Sequence, residues 1–448
     1  MMKILMFGWE FPPHISGGLG TACYGLPRGL SELDGIRVTF VVPRTWGDEE
    51  SGELQLIGAN HIPVSRQWVE EETHDTVSET IRVPLPLVPY QTPEEFWQLK
   101  NKSYVKGTRF VEVTGEGTIP FSGSYGPSLF QEIRNYAIVA GNIAEEYPFD
   151  VVHAHDWMAY PAGIEAGKRA GKPLVVHVHA TEFDRSGGNI NTLVYNIERE
   201  GMEAAGKIIA VSNLTRHTII EKYGIPPEKV VTVYNAVEPL TEEEKKIFKK
   251  DISEKIVTFM GRITHQKGPE YFVEAASLVL QKMDNVRFVM AGSGDMMEAM
   301  VAHAARLGIT GKFHFTGFLK GDDVYRMLHM SDVFVMPSVS EPFGIVPLEA
   351  MLANVPVIIS RQSGVAEVVH HAIKTDFWDT YALADAIHGL LCYPPLARLF
   401  TQRGKEEATN LKWKNSAEEV LRVYESLATC ETHDTYPVNI PQINTLNR

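Results

Sequence analysis

The sequence predicts an α/β protein made of two doubly wound parallel-sheet domains in tandem, facing a central cleft. Three observations carry that reading. The chain has 448 residues, too many for one ordinary core, so two large domains are expected. Short apolar runs such as Val333-Phe334-Val335-Met336 alternate with helix-length amphipathic stretches, and each run is near-continuously apolar, as a sheet covered on both faces requires. Glycine and proline turns follow several of these runs and lead into helices, which is the repeating unit of a doubly wound sheet.

The elements follow in order. Lys3 to Gly8 is a strand, Glu10 to Pro13 a loop, and Gly17-Gly18-Leu19-Gly20 opens a helix to about Leu33. Ile36 to Val42 is the second strand. From about 43 to 124 the rhythm is lost in an insert rich in Pro, Gly and short alternating strands such as Thr80 to Leu85. It carries Trp46, Trp68, Tyr90, Phe96, Trp97, Tyr104, Phe110, Phe121 and Tyr125. The insert is either a substrate-recognition element or a covering flap, since aromatics suit both sugar stacking and a local core. The rhythm returns with a helix over Phe130 to Glu146 and strands at Asp150 to His153, Pro173 to His179, Lys207 to Val211 and Val230 to Tyr234. Between them lie helices over Trp157 to Ala170, Asn191 to Ala205 and Leu214 to Tyr223. The first domain is thus assigned to 1–237. Thr241 to Lys255 is a charge-dense linker.

The second domain, 238–410, has predicted strands at 256–260, 286–291, 312–316, 333–336 and 355–359. Its predicted helices are Lys267 to Lys282, Asp295 to Leu307, Asp322 to His329 and Asp379 to Leu391. A last amphipathic helix near Trp413 to Leu427, within 411–430, completes the first domain. The polar, proline-spaced residues 431–448 are expected to be loose.

Composition narrows the partners. The formal net charge is −14, from 56 acidic and 42 basic residues, which argues against nucleic acid or a polybasic membrane contact. Cys23, Cys392 and Cys430 are scattered and lack metal spacing, which favours a reducing, cytoplasmic compartment. No run of 18 apolar residues occurs, so no membrane span is expected.

Four stretches carry candidate chemistry. Ser340 to Met351 makes a Pro/Gly turn after a buried strand and enters a helix, with Glu341 on the turn and Glu349 on the helix. The N–H groups of Phe343, Gly344, Ile345 and Val346 are expected at that helix start, where they suit a phosphate flanked by polyol groups. Gly261 to Gly268 follows the second domain's first strand, and Arg262 and Lys267 there suit a diphosphate, one as a planar fork and one as a point charge. Ala291 to Asp295 is a further glycine turn, of a kind that recurs for packing reasons, and nothing in the chain makes a convincing nicotinamide-dinucleotide fingerprint. His153, His155, His177 and His179 end two strands at the cleft, and alternation puts His177 and His179 on one face. Buried hydrogen-bonded histidines, with one functional His in the cleft, account for them better than a metal, so no metal ligands are assigned.

Together these residues resemble the retaining family 4 glycosyltransferases of GT-B fold, and within them the bacterial and archaeal glycogen synthases. The matching residues are Glu10 with Gly17-Gly18-Leu19, Asp150 to Trp157, His179, Val233 to Ala236, Gly261-Arg262 with Lys267-Gly268, Pro337-Ser338, and Glu341-Pro-Phe-Gly with Glu349. The resemblance implies that Arg262 and Lys267 hold the donor diphosphate and stabilise it as leaving group. It implies that Gly17, Gly18 and the N–H groups of 344–346 contact phosphate and sugar. Glu341 would bind the sugar hydroxyls, Glu349 the ribose, and the backbone at Phe318-Leu319 would lie beside the base. His179 would contact the transferred sugar near its reacting carbon. No cofactor and no divalent metal is implied, because the protein's cations do that work. The implied partners are a nucleotide-sugar and an α-glucan or oligosaccharide acceptor; homo-oligomerisation is left open.

The chain departs from the pattern in three places. Ile15 stands where synthases using ADP-glucose carry a lysine, Ser363-Gly364-Val365-Ala366-Glu367 replaces Gly-Gly-x-x-Glu, and Lys374 to Asp379 replaces a Gly/Pro-rich stretch. The donor base (ADP, UDP or GDP) and the acceptor stay open on these grounds. A donor such as GDP-mannose, a nucleotide-sugar epimerase and a non-catalytic glycan-binding protein are the competing readings.

Overall fold

The computed structural model describes residues 1–15, 17–49, 51–52, 54–64, 117–238, 240, 250 and 252–430. Among them lie two all-parallel sheets. The first has seven strands in the order β3-β2-β1-β4-β5-β6-β7. These are β1 (Met2–Phe7), β2 (Ile36–Val42), β3 (Gln55–Gly58), β4 (Val151–His155), β5 (Leu174–Val178), β6 (Lys207–Ala210) and β7 (Val230–Thr232). Its helices are α1 (Gly18–Ser31), α2 (Leu129–Glu146), α3 (Tyr160–Ala170), α4 (Glu182–Ser186), α5 (Thr192–Ala204) and α6 (Asn213–Tyr223).

The second sheet has six strands in the order β10-β9-β8-β11-β12-β13. They are β8 (Lys255–Met260), β9 (Val286–Ala291), β10 (Phe313–Gly317), β11 (Val333–Met336), β12 (Val357–Ser360) and β13 (Ile373–Thr375). Around them pack α7 (Pro269–Leu280), α8 (Met297–Arg306), α9 (Asp322–Met330), α10 (Val346–Leu352), α11 (Thr380–Cys392) and α12 (Pro394–Asn410). The last helix, α13 (Trp413–Cys430), returns to the first domain and lies on α1.

Alternation along the strands divides each core in two. Val333 and Val335 of β11 enter the core under α7 and α11, while Phe334 and Met336 enter the one under α10. In the first sheet Val152, Ala154, Val176 and Val178 face α2 and α3. Val151 and Val175 face the other way, with the four histidines, into the layer of α1 and α13. That layer is tight. A Cβ at Gly25 of α1 would lie 2.2 Å from the Trp413 ring, so glycine is what lets the last helix seat there.

Several expectations shift. The rhythm lost after residue 43 hides a real strand, since β3 pairs parallel with β2 as an edge of four residues, too short to stand out. β13, three residues long with Lys374 at its centre, α4 and α12 were likewise not anticipated. Lys267 does not open a helix. It ends a 3-10 turn at His265–Lys267, and α7 begins at Pro269 after Gly268 at φ 63°. The left-handed glycine stops the turn, and proline suits the first turn of the new helix. The insert's strand at 80–85, its aromatics from Trp68 to Phe110, residues 241–249 of the linker and residues 431–448 lie outside the described residues.

Candidate active site

In doubly wound sheets a ligand sits at the carboxyl edge where strand order reverses. Those points lie between β1 and β4 in the first sheet and between β8 and β11 in the second. The loops after these four strands carry most of the residues singled out from the sequence, and the carboxyl edges face one another. The Ser340 hydroxyl, after β11, donates to Asp184 Oδ1, after β5, at 2.5 Å. Glu367, after β12, accepts from the backbone N–H of Asn213 at 2.9 Å and Leu214 at 2.8 Å, after β6. Tyr234 also donates to Glu367, at 2.9 Å.

On the second domain, Lys267 Nζ donates to Glu341 Oε2 at 2.5 Å. Ser338 Oγ donates to the same oxygen at 3.2 Å. Glu341 is buried and Lys267 half-buried, so the pair is drier than a surface ion pair and is correspondingly firm. Its backbone is also fixed, with Glu341 N–H donating to Gln362 O at 3.0 Å and Gly364 N–H to Glu341 O at 2.9 Å. Arg262 Nη2 donates to Gln266 Oε1 at 3.1 Å. Asp295 stands near Arg262; burial raises its carboxyl while Arg262 and His265 pull it back down. The turn at Ala291 to Asp295 is a packing turn, because a Cβ at Gly292 would lie 1.8 Å from Gly261 O.

Phe343 and Ile345 are buried, Gly344 sits at φ 99°, and Val346 begins α10 with Pro347 and Glu349 in its first turn. Phe318 is exposed at the end of β10, with Lys320 Nζ 5.7 Å from its ring centre, and Leu319 is half-buried beside it. An exposed ring there is a surface on which a flat base can lie.

Across the cleft, Gly17 and Gly18 are exposed at the start of α1, and a Cβ on either would meet nothing within 4 Å. Gly20 differs: its Cβ would lie 2.3 Å from Ile15 and 2.9 Å from a Glu10 carboxylate oxygen. Only glycine lets the loop fold over Glu10, which also accepts a hydrogen bond from Tyr125.

Beneath this loop the histidines form a continuous stack. Ring centres are 4.4 Å apart for His153 and His155 and for His177 and His179, and 5.3 Å apart between strands for His155 and His177. His155 Nδ1 and His179 Nε2 are hydrogen-bonded at 3.0 Å, and His153 Nδ1 meets Tyr424 OH of α13 at 2.5 Å. His179 is the half-buried member, at the cleft end. Burial disfavours the charged ring, so His153 and His179 are lowered to about 3, and His155 and His177 fall well below the ordinary range. His179 is therefore held as a neutral imidazole, with Nε2 bonded to His155 and Nδ1 buried. Cys23 of α1 lies with His155 and His179, its thiol pushed up by burial.

The loop after β5 is anchored by charge. Arg185 is buried among Asp156, Glu182 and Glu198. Asp156 sits at φ 62°, and burial raises its carboxyl to about 6 against the pull of Arg185. Three polar groups that hold the candidate site were not assigned roles from the sequence: Gln266, Ser338 and Asp184. Asp184 had a signal, the Thr181-x-x-Asp184 spacing of a capping box.

Two family models match the chain. "Glycosyl transferases group 1" covers residues 241–407, and "Glycosyltransferase Family 4" covers 106–239. Among characterised and uncharacterised relatives, the α-maltose-1-phosphate synthase of Mycolicibacterium smegmatis is 31% identical over 62% of this chain and 79% of its own length. An uncharacterised glycosyltransferase of Methanocaldococcus jannaschii is 28% identical over 94% of this chain and 98% of its own. The glycogen synthase of Mycobacterium tuberculosis is 23% identical over 94% of each chain. Among solved structures, sucrose-phosphate synthase from Thermosynechococcus elongatus matches with a TM-score of 0.69 at 17% identity, covering 96% of this chain and 100% of that one. Anabaena HepE in complex with UDP-glucose matches with a TM-score of 0.64 at 17% identity, covering 95% and 100%. With its two facing parallel-sheet domains of GT-B architecture, the chain belongs to the group 1 glycosyltransferases.

Proposed function

We propose that the protein is a retaining hexosyltransferase that moves glucose from a nucleotide-glucose, with ADP or UDP as carrier, to the non-reducing end of an α-1,4-glucan. The observation that carries the reading is the Lys267–Glu341 pair at the second sheet's switch point, in a cleft that also holds His179. In this reading the donor diphosphate takes over the Lys267 ammonium and the Arg262 guanidinium, and their charge stabilises the leaving group. Glu341, released from Lys267, binds the sugar hydroxyls; Glu349 binds the ribose. The bond from C1 to the diphosphate oxygen breaks while an acceptor hydroxyl attacks the same face, and the hydroxyl proton passes to the departing phosphate oxygen. His179 contacts the sugar near its reacting carbon. No divalent metal is required, and water is kept out by closure of the two domains. The names of the glycogen synthase relative and of the solved complex with UDP-glucose support this donor and acceptor class.

A donor screen by nucleotide release, with and without glycogen, tests it. Release from ADP-glucose or UDP-glucose only when glycogen is present is expected. Release only from GDP-mannose, or donor conversion without any acceptor, overturns the glucan assignment. Lys267→Ala and Glu341→Ala are each expected to lower transfer by roughly 100-fold or more while circular dichroism is unchanged; full activity in either removes the site assignment. The Mycolicibacterium relative's name, a synthase of a phosphorylated disaccharide, favours a second reading in which glucose 1-phosphate is the acceptor, so that sugar belongs in the same screen.

A further inference from the structure

We infer that Asp184 is a positioning residue that joins the two halves of the site on closure, an inference that rests on the site assignment above. One carboxylate serves both domains. Its Oδ2 accepts from Thr181 N–H at 2.7 Å and from Thr181 Oγ1 at 2.8 Å, two residues beyond His179. Its Oδ1 accepts from Ser340 Oγ at 2.5 Å, one residue before Glu341. Asp184 is buried, so these bonds are made out of water, where a charged acceptor counts for more.

Each end is stiff enough to transmit position. On the first domain, Asp184 N–H returns a bond to Thr181 O at 3.1 Å. The neighbouring Arg185 is held by Glu182, Glu198 and Asp156, so α4 cannot drift from the end of β5. On the second domain, Val339 N–H donates to Gln266 O at 2.9 Å, tying the Ser340 segment to the turn that carries Lys267. The same turn approaches α4, since a Cβ at Gly187 would lie 2.9 Å from the His265 ring. The Asp184–Ser340 bond therefore sets the distance of the Lys267–Glu341 pair from His179. It can exist only when the cleft is closed, whereas the donor's contacts to the second domain do not need it.

That difference makes the role separable from plain stability. Ser340→Ala removes the cross-domain bond and leaves the Thr181 bonds intact. The expected result is a fall in kcat of roughly tenfold or more, with donor affinity in equilibrium binding of UDP unchanged within about twofold. Ser340→Thr, which keeps the hydroxyl, restores kcat. In an Asp184→Ala background, Ser340→Ala adds no further loss. Solution X-ray scattering of the full chain with saturating UDP gives a readout free of the transfer reaction: the wild type is more compact than Ser340→Ala, with both equally folded by circular dichroism. Scattering curves that coincide, or a Ser340→Ala loss that persists undiminished in the Asp184→Ala background, overturn the proposal. A scattering difference without glucosyl transfer to glycogen overturns the acceptor assignment and leaves the positioning role standing.

Discussion

Mild acid is expected to destabilise the first domain through its stacked histidines. His153, His155, His177 and His179 are held neutral by burial, two of them lowered to about 3 and the other two well below the ordinary range. In the unfolded chain each takes up a proton near pH 6.5. The unfolded state then binds the extra protons, so stability falls as pH drops below that value, until the folded rings themselves titrate. Between pH 7 and 5 each histidine costs about 2 kcal/mol, and the four cost about 8 kcal/mol. The buried acids oppose this. Burial raises Asp156 to about 6 and Glu198 to about 7, so both keep protons that the unfolded chain has shed. Between pH 7 and 5 they return about 4 kcal/mol. The histidines win, and the net loss of about 4 kcal/mol is a large part of a typical domain's stability. Urea unfolding followed by tryptophan fluorescence at pH 7, 6 and 5 measures it. His177→Val, which removes a ring whose two nitrogens have no partner among the described residues, should flatten the profile by one proton, about 1.4 kcal/mol per pH unit. A flat wild-type profile, or a variant whose slope matches the wild type, refutes the reasoning.

Three further outcomes follow from packing and caps. Trp413→Ala empties the seat of α13 on Gly25 of α1 and should cost about 3–5 kcal/mol; a loss under about 1 kcal/mol in urea unfolding would show that the helix does not brace the first domain. Gly364→Ala places a Cβ 2.1 Å from Pro342 O and 2.5 Å from Ser212 Cβ, so the two domains cannot close fully at β12; transfer should fall severalfold while circular dichroism is unchanged, and wild-type kcat would contradict this. Glu367→Ala strips the acceptor from two N–H groups at the start of α6 and from Tyr234, and should lower stability by about 1–2 kcal/mol, read as a lower thermal midpoint.

Much of the fold was legible because parallel strands buried on both faces are written as unbroken apolar runs. Ile4 to Phe7 and Val333 to Met336 both stood out in this way. What escaped was short or polar. β3 and β13 are edges of three or four residues, and their pairing depends on a neighbour that local sequence does not announce. The start of α12 was hidden by Pro394-Pro395, although proline fits a first helical turn.

The sequence by itself named the candidate site's residues. Arg262, Lys267, Glu341, Glu349 and the Gly17-Gly18 loop are local motifs at strand ends, and each is read without the fold. Only the tertiary structure decided how those groups pair. Lys267 and Glu341 are 74 positions apart, and Asp184 and Ser340 are 156 apart; strand order, not spacing, brings them together. It also decided that four strand-end histidines face inward beneath α1 and α13, where burial keeps them neutral. Charge state follows from solvation, and solvation is fixed only when distant helices close over the sheet.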